Sequence, residues 1–374
     1  MVDKPIKIAY KFLKRLSLQP GIVILGGYPY TSRLSDGYFQ RIDSINNQFS
    51  NVLQIHLDRK NLPGNKSWAD IPAKDVLTIS IRHNWAARVI ALLSIITANR
   101  LYIHSVYPLK YFAWLLWLPK VKTLIDFHGL VPEEQQMKQA DQKDSIYERL
   151  EKKAFHKADH HVFVSKTMAQ YLHNKYNHYA KKAQTILPIV PELSTSLTPK
   201  PPFDGKPIVV YAGGLQLWQQ IPKMIDAIKK TASCFQFKIF TPEINKFNNL
   251  LKEQNISEIE IEITSKSHKE LLDAYQGCHF GFLLRKDDPI NWAACPTKLI
   301  EYIAFGIIPI LDSPEIGDFP SLGLKFIRLE DFIQQNMPDQ NTLAEMVEIN
   351  TSIYQTLIEQ YRLGIEQIRD WFFR

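Results

Sequence analysis

Short apolar runs and longer stretches of three-and-four spacing take turns along this chain. In the first half the runs fall at residues 21–25, 52–57, 76–81, 101–104 and 124–127, with one more inside 158–165 and a last near 185–187. Helical patterns separate most of them, at 35–49, 85–99, 111–118, 146–156 and 166–176. Runs of the first kind predict buried strands, and those of the second predict helices. The second half repeats the scheme, with strands predicted at 208–212, 235–240, 258–263, 281–284, 307–311 and 325–327. Its helices are predicted at 221–228, 244–252 and 268–275, from Thr297 to Gly306, and across 342–374. Strand and helix in alternation predict an α/β chain of parallel, doubly wound sheets.

Residues 191–207 interrupt this pattern with five prolines and little periodicity, which reads as a linker. The chain then divides into a first domain at 1–190, a second at 208–340 and a closing helical segment at 341–374. A length of 374 residues suits two domains better than one core. The closing segment ends in Trp371-Phe372-Phe373, too apolar to be left in solvent without a reason. Near the start, Lys4, Lys7, Lys11 and Lys14 recur at helical spacing against a stripe of Ile6, Tyr10, Leu13 and Leu16. Such a basic amphipathic helix at 4–18 either meets an anionic membrane surface or packs on its own domain with a solvated lysine face.

Charge adds an asymmetry. Residues 1–195 hold 27 Lys+Arg against 15 Asp+Glu, a net of +12, and the remainder holds 18 against 23, a net of −5. A basic first half calls for an anionic counterpart. Its cations are dispersed and no recognition motif accompanies them, which disfavours nucleic acid and favours a membrane surface or a phosphate-bearing acceptor. Cys234, Cys278 and Cys295 have neither metal spacing nor an even count, so a disulfide framework and a zinc site are disfavoured. No apolar run approaches the roughly 20 residues needed to cross a bilayer, and lysines break up any secretory segment. A cytoplasmic protein is expected, with residues 4–18 as a candidate peripheral contact on the inner face of the plasma membrane.

Candidate chemistry concentrates at 281–311, GFLLRKDDPINWAACPTKLIEYIAFGIIPIL. Pro296 suits the first position of a helix. The amides of Thr297 and Lys298 would then form an anion site aided by the helix dipole. Lys298 brings a full positive charge there, and Arg285 at the strand end can add another. Glu301 shares a helical face with Lys298 and is placed to accept hydrogen bonds from a ribose diol. Diphosphate at the helix tip and ribose one turn in outline a nucleoside diphosphate. Gly213-Gly214-Leu215-Gln216, between a strand and a helix, would let backbone amides reach the same diphosphate, or is a plain tight turn.

Other candidates lie in the first half. Gly26-Gly27 after the first strand would admit a substrate close to the backbone. The fingerprint G-x-G-x-x-G is absent there, which disfavours an NAD oxidoreductase. His128 follows the carboxyl end of a predicted strand, where α/β sheets bind ligands; the alternative is a hydrogen-bonded structural histidine. Glu133 and Glu134 also read as an ordinary helix N-terminus. His160 and His161 are adjacent in a strand, so they point to opposite faces and cannot ligate one metal.

Residues 296–310, PTKLIEYIAFGIIPI, resemble the donor-binding signature of GT-B glycosyltransferases of glycosyltransferase family 4. The resemblance is strongest over 281–311 and 205–228, moderate over 125–165 and thin before residue 100. It implies two Rossmann-like domains facing a cleft, with the last helix crossing back to the first domain. It also implies transfer of a sugar from a nucleotide-diphosphate sugar to a saccharide or lipid-linked acceptor, with retention and without metal or cofactor. Relatives of this kind mostly build bacterial capsule, O-antigen or exopolysaccharide. By resemblance, Glu301 binds ribose and His128 matches a histidine that faces the cleft near the transferred sugar.

The residues and the resemblance together give His128, Arg285, Lys298 and Glu301 as the catalytic set. Gly213, Gly214, Gln216, Asn291, Pro296, Thr297 and Leu299 are the expected donor contacts, and Gly27, Arg33 and Glu133 the expected acceptor contacts. Two departures from the family pattern matter. Eight positions before Glu301, where the family has a second glutamate, stands Ala293, so Asp287, Asp288 or Asn291 would have to replace it. The family's arginine and lysine of the glycine loop are here Gly214 and Gln219, leaving more of the leaving-group charge to Arg285 and Lys298. These losses keep open a degenerate, non-catalytic subunit that binds nucleotide or a partner, and the fold keeps open a nucleotide-sugar epimerase.

Overall fold

In the computed structural model the apolar runs lie side by side in two separate parallel sheets. The structure describes residues 3–18, 21–29, 37–56, 69–73, 76–81, 85–138, 146–177, 182–191, 205–254, 256 and 261–374. Arg33, most of the 191–207 stretch, and the side chains of Lys4, Ile6 and Leu16 lie outside that description. The chain divides into two units, Met1–Pro188 with Tyr361–Arg374, and Ile189–Gln360.

The first unit contains β1 (Ile22–Leu25), β2 (Val52–His56), β3 (Ala69–Ala73), β4 (Val76–Ser80), β5 (Arg100–His104), β6 (Lys122–Phe127), β7 (His160–Phe163) and β8 (Ala183–Ile186). Their order is β3-β4-β2-β1-β5-β6-β7-β8, parallel throughout except for β3 against β4. The sequence pattern missed β3. It carries Asp70 and Pro72 without alternation, and it lies at the sheet edge, where a ladder tolerates proline.

Its helices are α1 (Asp3–Leu18), α2 (Gly37–Asn46), α3 (Trp85–Ala98), α4 (Leu109–Phe112) continuing into a 3₁₀ turn (Ala113–Trp117), α5 (Val131–Lys138), α6 (Ile146–Lys157) and α7 (Lys166–Tyr176). From β1 the chain steps outward to β2 and β4. Helix α3 then returns it to β5, from which β6 follows on the far side. Parallel crossovers are right-handed, so α3 and the α4–3₁₀ segment, which step the same way along the sheet, lie on one face and α2 on the other.

Helix α1 differs from expectation in which face it buries. Ala9 and Phe12 are buried, whereas Tyr10 is 65% exposed and joins Lys7, Lys11 and Lys14 on the outer side. The buried face packs on α3 and β3, and small Ala9 permits the close approach.

The second unit is regular. Strands β9 (Ile208–Ala212), β10 (Gln236–Phe240), β11 (Ile261–Thr264), β12 (Phe280–Phe282), β13 (Ile308–Leu311) and β14 (Ile327–Arg328) order as β11-β10-β9-β12-β13-β14, all parallel. Its helices are α8 (Ile221–Thr231), α9 (Ile244–Glu253), α10 (His268–Tyr275), α11 (Pro289–Trp292), α12 (Thr297–Ala304), α13 (Leu329–Ile333) and the first part of α14 (Gln340–Phe373). Alternate residues Val209, Tyr211, Phe237, Ile239, Phe280 and Phe282 share one core with Met224, Ile225 and Ile228 of α8 and Phe247 of α9. Gly281 faces the other way. A Cβ there would lie 2.5 Å from the Tyr302 ring, so the missing side chain is what lets α12 settle on the sheet.

Helix α14 begins with Leu343 and Met346 in the second unit's core and ends with Ile365, Ile368 and Phe372 in the first unit's. Its last carbonyls, which a helix leaves without intrahelical donors, are met by cations. Arg100 Nε donates to Phe372 O at 2.8 Å and Lys122 Nζ to Trp371 O at 2.9 Å.

Candidate functional site

In the second unit, the carboxyl ends of β9 and β12 and the start of α12 bring the expected residues together. Pro296 is the N-cap of α12, not its first residue, and offers no side-chain cap. Thr297 and Lys298 therefore open the helix. Lys298 turns inward and its ammonium stands 4.7 Å from the Tyr211 ring centroid, against Gly213. An added Cβ at Gly213 would collide with Lys298 Nζ, and the backbone there has φ +150°, so this position requires glycine on both counts. Tyr211 Oη donates to Gly214 O at 2.5 Å, and Leu215 N donates to Glu243 Oε2 at 2.7 Å, which hold the glycine loop in shape.

Lys298 Nζ is buried and makes no hydrogen bond. Burial, reinforced by the Arg285 charge and opposed by Glu301, pushes its pKa down to about 7. Glu301 is 4% exposed and accepts a hydrogen bond from Tyr275 Oη at 3.2 Å. Burial raises its pKa to about 7 against the pull of Tyr275 and Lys298. His268 Nδ1 lies 3.9 Å from Glu301 Oε1. An ammonium and a carboxylate that both titrate near neutrality, one of them without a partner, are held in place at a cost in stability.

Asn291, expected to touch the donor, instead braces the loop after β12. Its amide donates to Lys286 O at 2.7 Å and Asp288 Oδ1 at 3.2 Å, and its carbonyl accepts from Arg285 at 3.3 Å. That contact fixes the guanidinium. Asp288 caps α11, and Asp287 accepts from the Trp292 indole at 2.6 Å. Ala293 is fully buried. Of the three groups considered as replacements for a carboxylate at 293, Asp288 alone keeps a buried oxygen, Oδ2, without a partner. Gln219 Oε1 is likewise buried without one. Gln216 is exposed and its amide lies over Gly214, while Leu299 is fully buried in the helix packing and makes the helix stable rather than lining its tip.

In the first unit, His128 follows β6 and stacks on His104, with ring centroids 4.2 Å apart. The register pairs His104 of β5 with Asp126 of β6. Asp126 is fully buried. It takes a two-pronged contact from Arg41 of α2, at 2.9 and 3.1 Å, and a hydrogen bond from Tyr102 Oη at 2.6 Å. Burial works to raise its pKa, but Arg41 and the other donors outweigh this and hold the carboxyl well below the usual range. Burial and the neighbouring His104 lower the His128 pKa to about 3, so the imidazole is neutral, with Nδ1 buried and without a partner.

His104, Asp126 and His128 lie close enough to suggest a metal trio. The buried guanidinium at Asp126 opposes a cation there, and the chemistry fits a network that fixes the His128 ring. Arg41, Tyr102 and His104 escaped the sequence reading; the available signal was an acid inside the apolar run LIDF, which has to find a buried partner.

Glu133, expected to contact the acceptor, is engaged through one oxygen, while its Oε2 is buried and makes no hydrogen bond. Its Oε1 accepts from Tyr171 Oη at 2.8 Å and Lys175 Nζ at 2.7 Å, and Lys175 also reaches Glu151 at 3.0 Å. Through Oε1 it belongs to an ion network tying α5 to α6 and α7. Gly27 O accepts from Gln54 Nε2 at 2.8 Å, and a Cβ on Gly27 would meet the Phe39 ring at 3.0 Å.

Residues 63–191 match the family model described as Glycosyltransferase Family 4. No curated protein matches the sequence. Among solved structures, sucrose-phosphate synthase of Thermosynechococcus elongatus is similar with a TM-score of 0.67 at 15% identity, covering 94% of this chain and 99% of that one. Anabaena HepE in complex with UDP-glucose gives 0.65 at 9% identity, covering 94% and 100%. The α,α-trehalose 6-phosphate synthase of Burkholderia multivorans gives 0.56 at 10% identity, covering 95% and 96%. With that family segment at 63–191 and two α/β units matching these enzymes over nearly their whole lengths, the chain has the GT-B glycosyltransferase fold.

Proposed function

We propose that this protein transfers a sugar from a nucleotide-diphosphate sugar to a saccharide or lipid-linked acceptor, with retention and without a metal, in the synthesis of a bacterial surface polysaccharide. The observation that carries the donor is Lys298, a buried ammonium with no hydrogen-bond partner at the start of α12, beside Gly213. Its complement is a diphosphate. Glu301, one turn further in, would take the ribose hydroxyls, and Asp288 Oδ2 is the best-placed carboxylate for the sugar. The solved HepE complexes hold UDP-glucose, and UDP with glucose, on the same fold.

Breaking the anomeric C–O bond puts negative charge on the departing diphosphate. The α12 amides, Lys298 and Arg285 would stabilise it from fixed positions, and loss of one such donor typically costs about 3–4 kcal/mol in barrier. His128, neutral and held by the His104 stack, would orient a sugar hydroxyl rather than act as a strong base. We also propose that the outer face of α1, with Lys7, Lys11 and Lys14, contacts an anionic membrane on the inner side of the plasma membrane, where a lipid-linked acceptor would be met.

Incubation with a panel of nucleotide sugars tests this reading. Transfer, or slow hydrolysis releasing nucleoside diphosphate and abolished in Glu301→Ala, is expected. Isomerised donor with no nucleotide released would point to an epimerase, and tight but inert binding to a non-catalytic subunit.

A further inference from the structure

Two exposed apolar faces of the first unit have no role in the donor reading. On α3, Trp85, Val89, Leu93 and Ile96 are exposed by 79%, 47%, 46% and 52%. At about 100° per residue they fall within an arc of about 80°, a continuous stripe on the outer side of the helix. The opposite side, Ala87, Ala91, Ile95 and Ala98, is buried. In the next crossover, Tyr111, Trp114 and Trp117 are exposed at intervals of three, which a 3₁₀ turn lines up on one side. Lys153 stands over the Trp117 ring at 5.8 Å.

These two faces lie on the same side of the sheet, because both crossovers step in the same direction. The charge these elements themselves carry has one sign. Along them the exposed charged side chains are Arg88, Lys110 and Lys120, and residues 76–125 contain not one Asp or Glu. Helix α1, packed against α3, adds Lys7, Lys11, Lys14 and the exposed Tyr10.

We infer that this face, built from α3, the α4–3₁₀ segment and α1, docks on the surface of an anionic phospholipid bilayer, with the α3 stripe and Trp114 and Trp117 entering the headgroup region. Trp and Tyr with an apolar body and a polar edge suit that depth, and flanking lysines and arginines meet the lipid phosphates. A second copy of the chain suits the face poorly, since a two-fold contact would set cations against cations. Among the described residues no helix is long and apolar enough to span a membrane, so the contact is peripheral. The inference extends the α1 contact proposed above and is independent of the donor site.

Cosedimentation of the full chain with vesicles tests it, using phosphatidylcholine alone against equal parts phosphatidylcholine and phosphatidylglycerol. The wild type is expected on the anionic vesicles only. The variant Val89→Ser/Leu93→Ser/Ile96→Ser, and separately Trp114→Ala/Trp117→Ala, should lose about tenfold or more in binding while keeping the wild-type melting temperature. Glutamine at Lys7, Lys11 and Lys14 should weaken binding about fivefold per lysine and flatten its salt dependence. Loss in the apolar variants with none in the lysine variants would overturn the part that α1 plays, here and in the contact proposed above, and uphold docking through α3 and the α4–3₁₀ segment. The inference is overturned by a wild type that ignores anionic vesicles, or by apolar variants that bind as wild type. It is equally overturned if those variants change self-association in sedimentation velocity and leave vesicle binding intact.

Discussion

Two buried charges in this protein are treated in opposite ways. Asp126 has Arg41 and Tyr102 on its oxygens, whereas Lys298 has an aromatic face and a glycine. The first arrangement is structural. Asp126→Asn leaves Arg41 without its carboxylate in a dry site and is expected to destabilise the protein by about 3–5 kcal/mol, read from urea unfolding midpoints. Loss within the range of an ordinary surface substitution would mean Arg41 finds another partner. The difference in legibility follows from distance along the chain. Lys298 and Glu301 sit on one helix turn, so their relation is written in consecutive residues. Asp126 and Arg41 are 85 positions apart, and only the oddity of an acid inside an apolar strand hints at the pair.

Among the elements, periodicity located most strands and helices, though the helix expected at 35–49 stops at Asn46 and the short α11 and α13 gave no periodic signal. It failed where packing, not pattern, decides. The β3 edge has no alternation to read, and α1 chose Ala9 over Tyr10 for its buried side because a small residue brings it closer to α3. Asn291 and Glu133 carry structural bonds that pattern could not show, because polar residues beside a site also hold the loops and helices that make it. At β12 the deciding residue is Gly281. Gly281→Ala would push against Tyr302 and lift α12 from the sheet, costing about 1–3 kcal/mol. Because α12 carries Lys298 and Glu301, nucleotide affinity should fall with it. An alanine variant with wild-type stability and affinity would show that the ring yields freely.

For the molecule as a whole, acid should be felt first in the first unit. Burial pushes His128 and His161 down to about 3 and His160 to about 4, and lowers His104 as well. The unfolded chain therefore binds more protons than the folded one as pH falls below the ordinary histidine value of about 6.5. Each group removes about 1.4 kcal/mol per pH unit in that window, down to its folded value. Glu301 and Glu151, both raised to about 7 by burial, keep their protons in the folded chain over the same range and offset part of this loss. Lys298, lowered to about 7, binds its proton more readily when unfolded. Stability should therefore go on rising with pH above 7 and fall moderately between about pH 6.5 and 5. A melting temperature that stays flat across that range would show that these imidazoles are not kept neutral by the fold.

The claim on which the functional reading rests is that the donor's diphosphate is the partner Lys298 lacks. Calorimetry of UDP and GDP binding at about pH 8, in buffers of different ionisation enthalpy, addresses it directly, since a lysine titrating near 7 is then mostly neutral while Glu301 is ionised. Meeting the diphosphate should draw close to one proton from the buffer. Lys298→Met should abolish both the uptake and most of the affinity, while raising unfolding stability by about 1–4 kcal/mol as a strained charge is removed. Nucleotide binding with no proton taken up, or with full affinity in Lys298→Met, would contradict it.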